Sequence, residues 1–256
     1  METSLSVGND AVLRSARRWI IAVYVWEILS ELFYRVAPFF FDNLEMWFKF
    51  STFSPLVFLA VLSIGVLKLR KHSLSRFRLF ANLILIGVGV PVFVSLLYTL
   101  TQRTPDSLIF QIFGYVWFFI DPLAGYLLCV AYTYLLKNDV VNAVYRPAIA
   151  ILYLATFVNK VMNLSFWISK VMFDTQDSSQ WFAFLSGWSI INPILFIIVC
   201  IANILGYKYL LATPSEIPAA EDAPATFSFR PSKIEIGFIV SVALFVILAY
   251  FSIKAL

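Results

Sequence analysis

The sequence predicts an all-α integral membrane protein, a bundle of about seven transmembrane helices with a cytoplasmic N-terminus and an external C-terminus. Three observations carry that prediction. Of the 256 residues, 61% are hydrophobic and only 13% charged, about half the charge of a soluble domain. Losing that much charged surface, at a mean hydropathy of +0.85, is tolerable only where lipid replaces water. Second, the apolar residues form long continuous runs, not the ~10-residue alternating segments of a membrane barrel. Lipid offers no partners to backbone N–H and C=O groups, so such runs must satisfy themselves as helices. Third, basic residues are distributed unevenly among the segments between runs.

The first run, 19–41, follows Arg14, Arg17 and Arg18. Glu27 and Glu31 interrupt it and no small-residue cleavage site follows, so it is expected to be a retained helix after a cytoplasmic segment, 1–18. The second run, 53–67, is the shortest and extends back to Phe50. The basic stretch KLRKHSLSRFR, 68–78, anchors topology, and its His72 is expected to be solvent-exposed and chemically idle. The third run, 79–100, carries Gly87 and Gly89 just before Pro91, which makes it the most bendable. The fourth, 108–136, holds Asp121-Pro122 at its centre, and the sixth, 181–211, holds Asn192-Pro193. Each such proline frees a carbonyl one turn earlier, and the Asn192 amide is a candidate donor to the one freed by Pro193. The fifth run, 147–172, carries a polar stripe of Thr156, Asn159, Lys160, Asn163, Trp167 and Lys170. The stretch 212–233, rich in Pro, Ala, Ser and acids, is expected to be a flexible cytoplasmic loop before the seventh run, 234–255. The whole of 1–256 is expected to form one domain.

With the N-terminus inside, the inner segments hold 13 of the 19 Lys and Arg, which favours this orientation. If the first run did not cross, Arg14, Arg17 and Arg18 would move to the side of Asp42 and Glu45, so the pattern supports seven crossings over six.

The informative residues are charges placed where lipid should be. Glu27 and Glu31 share a face of the first helix, and Arg35 continues it one turn further. Asp121 and Lys160 sit near the middles of the fourth and fifth helices. Each central charge costs ~2.5–3.5 kcal/mol on insertion scales, so these residues are expected to face the bundle interior as one network. Three acids against one central lysine do not balance, so an acid is expected to carry a proton, or to meet water or a cation. The pattern predicts binding or translocation of a small molecule or ion through Glu27, Glu31, Arg35, Asp121, Asn159, Lys160, Asn163 and Asn192. Arg35 would act as an outer electrostatic filter, and the asparagines as neutral ligands.

A competing expectation is a non-transporting membrane subunit or receptor, in which Lys160 or Asp121 meets a membrane-protein partner or a second copy. Nine glycines are few for seven spans, which counts against the broken-helix sites of secondary transporters. A single histidine and the lack of HExxH, Walker or dinucleotide loops predict neither a catalytic nor a metal site, and no nucleic-acid partner. No particular cofactor is implied. Cys129 and Cys200, both inside apolar runs, are expected to be packing residues. Short loops and the lack of a targeting segment point to the cytoplasmic membrane of a bacterium.

Overall fold

The computed structural model describes residues 2–36, 44–72, 75–101, 108–136, 139–173 and 178–212, with Ile236, Gly237 and Val240 beyond them. The loop expected at 212–233 and the seventh run at 234–255 lie almost wholly outside the described residues. Those residues form six helices and no strand. They are α1 (Glu2–Val36), α2 (Leu44–Leu69), α3, α4 (Leu108–Leu136), α5 (Asp139–Phe173) and α6 (Ser178–Leu210). The third, α3, runs Ser75–Ile84, widens into a π-helical turn at Leu85–Gly89 and resumes as Val90–Thr101. That turn lies directly before Pro91, whose ring and missing N–H disturb the regular ladder.

Among the described residues, four stretches are long and apolar enough to cross a membrane: Thr52–Leu69, Phe77–Leu100, Arg146–Leu164 and Ser189–Leu210. A shorter apolar stretch, Phe119–Thr133, occupies the middle of α4. The outward surface is what lipid requires. Phe119, Leu154 and Ile190 are 70%, 64% and 66% exposed, and large apolar side chains face outward on every helix. A water-soluble monomer rarely shows apolar surface on that scale.

The helices close into a ring. Each packs against the next in chain order and α6 packs back against α1, with no helix crossing the ring among the described residues. The end where α1 begins, here called the base, is solid. Leu13, Ile20, Leu62, Leu69, Phe80, Ile84, Leu152 and Leu210 form one buried cluster there. Close backbone approach helps. A Cβ on Gly206 would lie 2.5 Å from the Cγ of Leu152, and one on Gly65 would lie 3.0 Å from Ile20.

Two sequence expectations need correction or extension. His72 is buried, 4% exposed, and its ring stands 4.4 Å from that of Phe77. The chain turns sharply after α2, through bonds from Lys71 N to Lys68 O and His72 N to Leu69 O, and this folds the imidazole under α3. A basic stretch reads as uniformly solvated, whereas this turn leaves Arg70 and Lys71 outside and returns His72 to the interior. The helices also outrun the apolar stretches, α1 from Glu2 and α5 from Asp139, with Pro147 inside α5. Hydropathy marks where apolar surface begins, while a helix continues as long as its backbone bonds do. Finally, Cys129 and Cys200 are buried, as packing residues would be.

Candidate functional site

The helices of the ring line a cavity of about 330 Å³. All six helices line it. From α1 come Tyr24, Glu27, Ser30, Glu31 and Tyr34, and from α5 come Ala155, Thr156, Asn159, Lys160 and Asn163. Steps of three and four keep each set on one helical face. Shorter contributions come from Ser54, Pro55 and Phe58 of α2, Asp121 and Leu128 of α4, and Phe196, Val199, Cys200 and Asn203 of α6. On α3 the wall is Gly87, Val88, Pro91, Val92 and Ser95, which includes the π-helical turn and the proline that follows it. A Cβ on Gly87 would lie 2.8 Å from Cγ of Leu128, so the missing side chain lets α3 and α4 approach beside the cavity.

Six of the eight residues singled out by the sequence therefore share this cavity: Glu27, Glu31, Asp121, Asn159, Lys160 and Asn163. Lys160 Nζ donates to Asp121 Oδ1 at 2.5 Å, and Asn163 Nδ2 donates to Asp121 Oδ2 at 3.1 Å. The lysine and aspartate side chains are only 5% and 4% exposed. Both carboxylate oxygens thus have a donor, and the pair is electrically closed. At the opposite wall Arg35 Nε donates to Glu31 Oε1 at 2.9 Å, one turn apart on α1. Arg35 itself is exposed and does not line the cavity.

Arg35 also performs the task expected of Asn192. Pro193 removes the bond that would satisfy the Ser189 carbonyl, and Arg35 Nη1 donates to that carbonyl at 3.1 Å. The guanidinium from α1 ties α6 to α1 one turn before Pro193. Asn192 is half-buried in α6 and does not line the cavity.

Glu27 is different. Its carboxyl has no ion-pair partner among the described residues, although it lies deep in the ring. It is half-exposed, and what it faces is the cavity. Nearby, Ser30 and Ser54 hydroxyls share a hydrogen bond of 2.8 Å, and Trp26 Nε1 donates to the Ser54 carbonyl at 3.1 Å. These bonds fix α1 against α2 beside Glu27.

Tyrosines close the cavity toward the base. Tyr24 stacks on Tyr207 at 5.7 Å between ring centroids, and the Tyr132 and Tyr207 hydroxyls are 3.1 Å apart. Tyr132 and Tyr207 are 1% and 0% exposed. A second set joins α4 to α5, with the Tyr153 hydroxyl donating to the Cys129 carbonyl at 2.8 Å. The Tyr132–Tyr207 bond thus bridges α4 and α6, whose backbones stay apart.

Sequence reasoning missed Tyr24, Tyr34, Ser30, Ser54, Ser95 and Asn203. The two tyrosines were within reach, since Tyr24, Glu27, Glu31 and Tyr34 step along one face. Nothing in the local pattern separates Ser54 or Asn203 from other polar residues of apolar helices. No protein-family model matches the chain, and no curated protein or solved structure does so either.

Proposed function

We propose that this chain is an integral membrane protein of seven transmembrane helices that binds or translocates a small molecule or ion through the cavity within its ring. In this reading the N-terminus is cytoplasmic, the C-terminus external, and the host membrane the cytoplasmic membrane of a bacterium. The observation that carries it is the convergence of Glu27, Glu31, Asp121, Asn159, Lys160 and Asn163, from three different helices, on one cavity. Charges at membrane depth are costly. Had these served only to lock neighbouring helices, no cavity would be needed between them.

The test is flux. Purified protein in liposomes should carry substrate or ion, and Glu31→Gln and Asp121→Asn/Lys160→Met should each change the rate. Unchanged flux in both would refute the translocation reading.

The second reading is a non-transporting subunit or receptor of a larger membrane complex. In its favour, Ile190, Ile194, Ile198, Ile201 and Leu205 are all exposed along one face of α6, a seam as suited to a neighbouring helix as to lipid. Against it, Lys160 already has its counter-charge within the chain. Purification in mild detergent with mass spectrometry of co-eluting proteins separates the two. A stoichiometric partner favours the subunit.

A further inference from the structure

The charges around the cavity settle into pairs with one remainder. Asp121 and Lys160 cancel, Glu31 and Arg35 cancel, and Glu27 is left facing the cavity with no ion-pair partner among the described residues. With Glu27 ionised, a ligand that restores neutrality brings one positive charge.

The walls then discriminate among cations. A divalent metal requires several converging oxygen or nitrogen ligands. Among the described residues no three His, Cys, Asp or Glu side chains converge in that way. Recruiting Asp121 would break its contact with Lys160, leaving a buried ammonium unpaired. A bare alkali ion would leave most of the roughly 330 Å³ unfilled. That volume suits a small organic molecule. Aromatic rings stand on the same side of the cavity, Tyr24 one turn before and Tyr34 two turns after Glu27 on α1 and Phe58 on the neighbouring α2. Aromatic faces attract alkylated ammonium groups, which lose little hydration on entering such a site.

We propose that the cavity is a binding site for a small organic monocation, an amine in its ammonium form or a quaternary ammonium, with Glu27 as its counter-charge. This rests on the reading of the cavity as a ligand site and names the class of ligand. The Asp121–Lys160 pair keeps the opposite wall neutral, and Asn159 beside it offers an amide to any polar group of the ligand.

The experiment uses the full chain in lipid nanodiscs and equilibrium binding of tetramethylammonium, choline and benzyltrimethylammonium. The controls are sodium, calcium and 3,3-dimethylbutan-1-ol, the uncharged isostere of choline. The expected result is saturable binding of at least one organic cation and none of the isostere, with affinity reduced about tenfold or more in Glu27→Gln. Isostere binding as tight as choline, or organic-cation binding unchanged in Glu27→Gln, overturns the role of Glu27 while leaving a ligand cavity in place. Glu27-dependent binding of sodium or calcium with none of the organic cations overturns the ligand class and leaves an ion site. No binding of any probe, together with no flux in liposomes, overturns both this inference and the reading beneath it. Should Glu27→Gln fail to fold, the contrast between choline and its isostere on the unaltered protein decides alone.

Discussion

Replacing Lys160 with Met removes the ammonium while keeping an unbranched apolar stem. Asp121 is then left with Asn163 Nδ2, at 3.1 Å, and no positive charge. Both side chains of the pair are almost fully buried, 5% and 4% exposed, so water is poorly placed to replace the lost donor. Breaking one partner out of a buried ion pair typically costs ~3–5 kcal/mol, whereas replacing both partners together is often close to neutral. For a chain of this size each kcal/mol moves the midpoint by roughly 2–4 °C, on the scale of soluble proteins. Lys160→Met should therefore lower the thermal midpoint by roughly 6–20 °C. Asp121→Asn/Lys160→Met should recover most of that loss. The assay is thermal unfolding in one detergent, followed by tryptophan fluorescence, on both variants and the unaltered protein. A single variant within about 2 °C of the parent, or a double variant no better than the single, would refute the argument, because the pair would then contribute too little to matter.

Other consequences are quicker to check. Gly206→Ala places a methyl 2.5 Å from Cγ of the fully buried Leu152, and should destabilise by about 1–3 kcal/mol through overpacking; Gly187→Ala meets nothing within 4 Å and should be neutral or stabilise by up to about 1 kcal/mol. Equal midpoints for the two variants in the same unfolding assay would contradict the packing described here. Tyr132→Phe removes the hydroxyl bonded to Tyr207 at 3.1 Å and should cost about 0.5–1.5 kcal/mol, read as a lower midpoint without loss of expression. Epitope tags at the two ends should be accessible from opposite faces of intact membrane vesicles, as seven crossings require; access from one face only would point to an even number.

Much of this protein is legible in its order of residues, and the reasons are physical. Apolar runs without alternation permit only helices in lipid, so the helical character and the positions of α2 to α6 follow from hydropathy. The shared face of Glu27 and Glu31, and the stripe through Asn159, Lys160 and Asn163, follow from the 3.6-residue repeat. A buried charge must turn inward, so it was also legible that these residues meet somewhere in the bundle. Which residues touch was not, because that depends on the rotation and depth of each helix relative to its neighbours. Only the tertiary structure decides that Lys160 pairs with Asp121 and not with a glutamate, that Arg35 serves the carbonyl freed by Pro193 in place of Asn192, and that His72 tucks under α3. It also decides the most consequential feature, that Glu27 has no ion-pair partner among the described residues. Periodicity counts the charges on each helix, but whether a charge is cancelled is a matter of ångströms between helices, and among the described residues of the cavity wall Glu27 is the acid left without an ion pair.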